Sequence, residues 1–460
     1  MFLEEIEKVA RISKPIFKQK PVKIFSHFDA DGIVSAAIIM KMFLREKIPF
    51  QLRILKQLTN DKIDELNIDQ NDFVIFTDFG SGQLNAVKRF LDITHVLILD
   101  HHEPERFENI NLFHLNPLLY AEEEISSSMI SYIFAKNVNK NNADLIDLAI
   151  VGAVADVQDE KWELKGLARK ILGEAELMGK ISTMKGLRLY GRTNRPIHKS
   201  LEYSFDPHIP GISGFESHAI QFLSDLGIPV KDDGEWRKLK DLSLEEQQKL
   251  ATAIIVERLK VQNLDAVDIF GEIYTLIGKP EELQDVREFS TLINACGRLG
   301  NYGIALRLCM DDFSALNAAW DSLDQYRKLI SESINWVRNN KNAILNTENA
   351  SFIFYENKVP DILAGTITSI LLNSNLVSTD KPIFGFAETE DNNLKVSARS
   401  LKDLKEINLR DIIVQAVKIV NGEAGGHKHA AGALIAKSKQ HEFVQALDKK
   451  LGEINGFEES

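Results

Sequence analysis

The eleven residues Thr94-His-Val-Leu-Ile-Leu-Asp-His-His-Glu-Pro104 constrain the fold more than any other stretch of this chain. Val96 to Leu99 is an unbroken apolar run, which suits a strand buried on both faces of a parallel sheet. The run stops at Asp100-His101-His102. Ionisable side chains at the carboxyl end of a buried strand stand where open α/β sheets place their sites. On an extended backbone, consecutive histidines point to opposite sides. Only one of the two can then be a ligand on a given face, and the other needs a different task, such as touching substrate. A polar turn with two histidines is the simpler alternative, so the choice depends on partners elsewhere.

Those partners come in order. Pro21–Phe25 reads as a strand that runs into Ser26-His27-Phe28-Asp29-Ala30-Asp31-Gly32, with a helix over Ile33–Arg45 directly after it. His27, Asp29 and Asp31 alternate and share one face of an extended backbone, while Gly32 permits the tight turn. A second cycle follows: strand Phe50–Leu55, a helix around Lys62–Leu66, and strand Phe73–Thr77, which ends in Asp78-Phe79-Gly80-Ser81-Gly82. A helix over Gln83–Leu91 leads back to the opening strand. Three of the first four strands therefore run out into an Asp. A solvated turn accounts for any one of them and poorly for all three. Ser126–Ser128 reads as the N-cap region of a helix. Beyond the apolar run Leu145–Val154, Asp156 is a lone acid in apolar surroundings, which costs several kcal/mol unless it is paired.

If these acids converge, they repel one another unless cations fill the site. Carboxylate with imidazole suits Mn²⁺, Zn²⁺ or Fe²⁺ better than an all-oxygen Mg²⁺ site. Two divalent ions about 3.5–4 Å apart serve phosphoryl displacement.

The 460 residues are enough for two or three domains with real cores. A net charge of −12 argues against general coating of nucleic acid, yet it leaves room for an enzyme with a local basic groove and acidic metal ligands. No apolar run approaches the roughly 20 residues of a membrane span. Two cysteines, Cys296 and Cys309, offer neither a disulfide framework nor metal-ligand spacing, which fits a reducing cytoplasm. Arg188, Arg192, Arg195, His198 and Lys199, followed by Phe205-Asp-Pro-His-Ile-Pro-Gly-Ile212, form a basic, proline-punctuated loop. It reads equally as a solvated linker or a phosphate-facing wall. Pro229–Val286 reads as helical and polar, with a capping box at Ser243-Leu-Glu-Glu246. Arg298 in Asn294-Ala-Cys-Gly-Arg-Leu-Gly300 is a plausible phosphate contact, and Leu316 to Val337 marks a long bridging helix. Strands Phe352–Tyr355, Pro382–Ala387 and Leu394–Ser400, with helices Ile362–Leu372 and Leu409–Val420, make a last α/β domain. It carries Arg399 on a strand and the run Gly425-Gly-His-Lys-His-Ala-Ala-Gly432, where glycines let backbone amides and a cation approach an anion.

The order His27-x-Asp29-x-Asp31-Gly32, Asp78, Asp100-His101-His102 and Gly152-x-x-x-Asp156 resembles the DHH phosphoesterase superfamily. The 425–432 run resembles its DHH-associated domain. Asn294-Ala-Cys-Gly-Arg-Leu and Phe205-Asp-Pro-His-Ile-Pro-Gly most resemble the archaeal RecJ-like GINS-associated nucleases. The resemblance implies an α/β protein with a parallel-sheet DHH domain over 1–185 and a connector over 186–348 with a helical insertion at about 229–286. A smaller α/β DHH-associated domain over 349–460 would follow, with a cleft between it and the first.

It also implies roles. His27, Asp31 and Asp78 would hold one divalent ion, and Asp78, His101 and Asp156 a second, Mn²⁺ before Mg²⁺. Asp100 would orient the imidazoles and His102 would face the scissile phosphate. Arg298, Arg399, Ser400, Gly426, His427 and His429 would contact substrate. Many superfamily members open with His-x-x-x-Asp-Gly-Asp, but here Ile33 stands in the last place and Asp29 supplies a carboxylate earlier, so which ion it serves is open. The expected function is exonuclease action on single-stranded DNA or RNA in archaeal replication or repair, with the GINS complex as partner and 229–286 as docking surface or brace. The alternatives are a small-substrate phosphodiesterase and a non-catalytic GINS-bound scaffold like the related eukaryotic helicase subunit.

Overall fold

Alternating apolar runs and amphipathic segments build the first half of the chain into a parallel sheet. In a computed structural model, which describes residues 1–58, 63–204, 206–261, 265–372, 380–401, 407–426 and 428–455, its strands are β1 (Val22–His27), β2 (Phe50–Leu55), β3 (Phe73–Thr77), β4 (His95–Leu99) and β5 (Leu112–Leu115). Their order is β2-β1-β3-β4-β5, all parallel. Phe73 to Phe76 and Val96 to Leu99 are wholly buried, as central strands covered on both faces must be. Thr77 pairs with both Ser26 and Leu99, so β1, β3 and β4 end at one level. The strand order reverses between β1 and β3, the place where such sheets bind ligands.

The helix Ala30–Glu46 is buried on every side from Ala30 to Ile39, because it lies between other elements rather than at the surface. The helices Ser127–Val138 and Ile146–Ala155 pack against it. Gly152 makes that packing possible, since a Cβ there would lie 2.4 Å from the Ser128 Cβ and 2.6 Å from Asp31 Oδ1. The other sheet face carries Phe25, Val74, Phe76, Val96 and Ile98 against the helix Leu84–Leu91. The helix expected around Lys62–Leu66 begins outside the described residues.

Strands β6 (Ile181–Leu187) and β9 (Phe270–Leu276) pair antiparallel, and the described residues between them fold around a core that includes Ile197, Ile209, Leu223, Leu250 and Ile269. This corrects the reading of 229–286 as a helical insertion. The inserted body begins some forty residues earlier, because Ile197, Leu201, Ile209 and Ile212, in and beside the basic, proline-punctuated loop, are core residues. It holds the short hairpin β7 (Lys231–Asp232) with β8 (Glu235–Trp236) and one long helix, Leu244–Leu259, opened by the Ser243–Glu246 capping box. The segment's last part is a strand, because Phe-Gly-Glu-Ile-Tyr-Thr-Leu alternates toward β6.

The contacts divide the chain into two compact units, residues 1–319 and 320–460, at the start of the helix Leu316–Asn339. The second unit is built on a six-stranded sheet of β10 (Ile344–Asn346), β11 (Ser351–Glu356), β12 (Ile383–Glu388), β13 (Asn393–Arg399), β14 (Glu423–Gly426) and β15 (Ala430–Ala436). Their order is β10-β11-β12-β13-β15-β14, with only β11 and β12 parallel. Among the described residues, no helix is long and apolar enough to cross a membrane.

Candidate metal centre

Each expected donor of the first unit sits just past a strand or at a helix end. His27 is the last residue of β1, and Asp29 caps the following helix, its Oδ1 accepting from the Gly32 N–H at 3.1 Å. Gly32 is obligatory, because a Cβ there would stand 2.4 Å from the His27 carbonyl oxygen. Asp78 follows β3 with φ +64, a left-handed conformation that Asp tolerates better than most residues. Asp31 is buried and takes both amides at the start of the helix Ser127–Val138, Ser127 N–H on Oδ2 at 2.8 Å and Ser128 N–H on Oδ1 at 3.1 Å.

Among the described residues the donors fall into two triads and one group of four, Asp78, Asp100, His101 and His102. His27, Asp29 and Asp78 place one ligand atom each within 4.8 Å of one another, and so do Asp31, His101 and Asp156. The triads meet where Asp78 Oδ1 lies 3.5 Å from His101 Nε2, which is itself 3.6 Å from Asp156 Oδ2. Asp29 therefore groups with His27 and Asp78, while Asp31 groups with His101 and Asp156; the grouping expected from the motifs had Asp31 beside His27. Asp78 Oδ1 and His101 Nε2 are both buried without a hydrogen-bond partner. Such orphaned atoms are costly unless something absent binds them. Two ligands about 2.1 Å from one ion stand roughly 3–3.5 Å apart, so these separations suit coordination better than hydrogen bonding. Carboxylates with imidazoles make a donor set for a divalent transition metal.

Electrostatics point the same way. Burial and the neighbouring Asp78 and Asp156 push Asp31 well above the usual carboxylate range. Burial likewise carries Asp156 up to about 7, with Asp78 and Asp29 adding to it against the pull of His101. Burial opposes a charge on His27, yet the Asp29 and Asp78 carboxylates raise it to about 10. The centre holds more negative charge than its own residues compensate, and cations would relieve it.

Asp100 and His102 depart from the expected arrangement. The backbone after β4 turns around the Asp100 carboxylate, whose Oδ1 accepts from the His101 N–H at 2.8 Å and pairs with His102 Nδ1 at 2.7 Å. The two imidazoles consequently lie side by side, ring centres 4.4 Å apart, and not on opposite faces as an extended chain would put them. Asp100 orients His102 alone. Glu124 holds His101 through Oε1 and Nδ1 at 2.7 Å, leaving Nε2 toward the acids. Sequence reasoning missed Glu124, along with Gln158, which donates to Asp156 Oδ2 at 3.0 Å. It also missed Ser81, whose N–H donates to Asp100 Oδ2 at 2.9 Å, and Asn116, which donates to the His102 carbonyl at 2.7 Å. Ser81 lies inside the noted Asp78–Gly82 loop and could have been found there; the other three carry no local signal.

Of the expected substrate contacts, Arg298 ends the helix Val286–Arg298 with its guanidinium 4.9 Å from the Phe28 ring centre. Gly297 lets that helix press on the loop, since a Cβ would meet the Phe28 carbonyl at 2.2 Å. In the second unit, Arg399 ends β13 opposite Ala430, its Nε donating to Ser369 Oγ at 2.8 Å. Ser400 Oγ is 3.2 Å from His429 Nδ1, and Gly426 (φ +126) ends β14 one strand away. These four gather at one end of the six-stranded sheet. His427 lies outside the described residues.

Comparison with known proteins agrees with this anatomy. The DHH family N-terminal domain matches residues 21–154, the DHH-CID domain 189–269 and the DHHA1 domain 352–453. An uncharacterized protein of Methanocaldococcus jannaschii is 32% identical, with 98% of each chain covered. The fold is similar to that of manganese-bound RecJ from Thermus thermophilus, with a TM-score of 0.60 at 15% identity, covering 98% of this chain and 55% of that one. The chain thus spans little more than half the length of that RecJ. Cdc45 of Entamoeba histolytica is similar over 98% of this chain and 99% of its own, with a TM-score of 0.66 at 14% identity. Family and relative together mean that the chain belongs to the DHH family, with a RecJ-like fold and a donor set suited to divalent metal ions.

Proposed function

We propose that the chain is an exonuclease on single-stranded nucleic acid, dependent on two divalent ions, Mn²⁺ before Mg²⁺. The observation that carries it is the pair of donor triads joined through the orphaned Asp78 Oδ1 and His101 Nε2. His27, Asp29 and Asp78 would hold one ion, Asp31, His101 and Asp156 the other, with Asp78 reaching both. Ions so held would draw charge from the non-bridging phosphate oxygens and acidify the attacking water. The protein's own groups do the rest. Asp100 outweighs burial to keep His102 protonated, its pKa raised to about 9, so that the imidazolium can donate to the phosphate. Glu124 and Gln158 hold His101 and Asp156 in place. Arg298 beside Asp29, and Arg399 with Ser400, Gly426, His427 and His429 in the second unit, would contact the strand's phosphates.

A replication or repair role with the GINS complex as partner is part of this proposal, and the DHH-CID segment is the surface we assign to that partner. The likeness to Cdc45 supports a second reading, a replisome scaffold without catalysis. The complete donor set weighs against it.

The deciding experiment is digestion of end-labelled single-stranded DNA and RNA with Mn²⁺, Mg²⁺ or EDTA, with Asp78→Ala as control. Stepwise shortening with Mn²⁺, lost with EDTA and in the variant, is expected. Intact strands under every metal, bound but uncut, would replace the nuclease with the scaffold.

A further inference from the structure

Asp156 closes the helix Ile146–Ala155, and the residue after it reverses the chain. The Val157 N–H donates to the Val154 carbonyl at 3.1 Å and the Gln158 N–H to the Ala153 carbonyl at 3.0 Å. This pair of bonds ends a helix through a left-handed residue, a position that favours glycine because any Cβ crowds the backbone there. Here the residue is valine with φ +59, and β-branched side chains tolerate that conformation least. Burial does not offset the strain, for Val157 is 76% exposed. Its surroundings impose the conformation, since Gln158 is tied both to Asp156 Oδ2 and to the Ser126 N–H, at 3.0 and 2.8 Å. Strain held in place by surroundings that over-determine it clusters at active sites and ligand clamps. The turn lies one residue from Asp156, a carboxylate of the metal centre.

We propose that Val157 is a substrate-contact residue whose two methyl groups pack on the sugar or base of the nucleotide at the metal centre. Such a contact carries no hydrogen bond and reads no base, which suits a sequence-tolerant enzyme. The assignment rests on the nucleotide-substrate reading above.

The test uses the full chain, Mn²⁺ and a fluorescent single strand with hydrolysis-resistant phosphorothioate linkages, and it compares wild type with V157G, V157A and V157I. V157G should raise Tm by about 2 °C or more, because the strain is relieved. V157G and V157A should weaken strand binding about fivefold, whereas V157I should keep it, and Mn²⁺ affinity measured by calorimetry should not change in any variant. Unchanged strand affinity in V157G and V157A overturns the proposal, as does a lower Tm or weakened Mn²⁺ binding in V157G, which would make Val157 a structural support of Asp156. A wild type that binds the resistant strand but never cuts an unmodified one sinks the nuclease reading alone, and the affinity comparison still judges Val157.

Discussion

Removing the Glu124 carboxylate should weaken metal binding more than it slows chemistry. Glu124 pairs with His101 Nδ1 at 2.7 Å and so fixes which imidazole nitrogen faces Asp78 and Asp156. A hydrogen bond to a charged group contributes about 1.5–3 kcal/mol against about 0.5–1.5 for a neutral one. Glu124→Gln keeps an acceptor and loses the charge, a difference of about 1 kcal/mol, which screening at a side chain 41% exposed cuts to roughly half. The expected loss of Mn²⁺ affinity is two- to fivefold for Glu124→Gln and about 10–100-fold for Glu124→Ala, where the imidazole is no longer held. Calorimetric titration of Mn²⁺ without substrate measures this directly, and turnover at saturating Mn²⁺ should stay near wild type. Mn²⁺ affinity in Glu124→Ala within twofold of wild type would show that the His101 orientation is set by packing, and the reasoning would fail.

Arg399→Ala should raise KM for single strands and flatten the salt dependence of binding, one phosphate contact being lost; unchanged KM with lower kcat would make it a stabiliser of the transition state instead. Acid should unfold the metal-free protein partly through His114, which burial holds at about 4 against an ordinary 6.5. The native state then binds fewer protons than the unfolded one, so this contribution is whole above pH 6.5 and is lost as pH falls through about 4, at most about 3 kcal/mol. His114→Gln, which can still bond Ser81 Oγ, should shrink the loss of Tm across that window, and an identical pH profile would refute the assignment. Replacing 189–268 with a tight turn between β6 and β9 should leave exonuclease activity and abolish co-elution with GINS on gel filtration; retained co-elution would put the partner surface elsewhere.

Much of the donor set was legible because metal ligands must be Asp or His and because strand ends mark themselves by abrupt loss of apolar character. His27, Asp78 and Asp100–His102 are all of this kind, and they do end or follow β1, β3 and β4. Glu124 and Asn116 were not legible, since they reach the site from loops far along the chain and nothing local distinguishes them from solvated residues. The side-by-side histidines were misjudged for a related reason. Period-two reasoning holds only while the backbone stays extended, and the Asp100 carboxylate gathers the backbone into a turn at that point. Strand β5 escaped notice because Leu-Phe-His-Leu is short and interrupted by His114. The inserted body was cut too short because its core residues are spread through proline-rich turns, where no regular period shows.

The antiparallel ribbon of β6 and β9 pairs Leu187 with Phe270, so the whole DHH-CID segment leaves the rest of the first unit and returns to it at nearly one point. A body attached in this way is a cassette. Its outer surface can be redesigned, by natural drift or by engineering, while Asp156, a turn and a helix upstream of β6, keeps its neighbours. Changes confined to that body would leave the two donor triads of the metal centre in place.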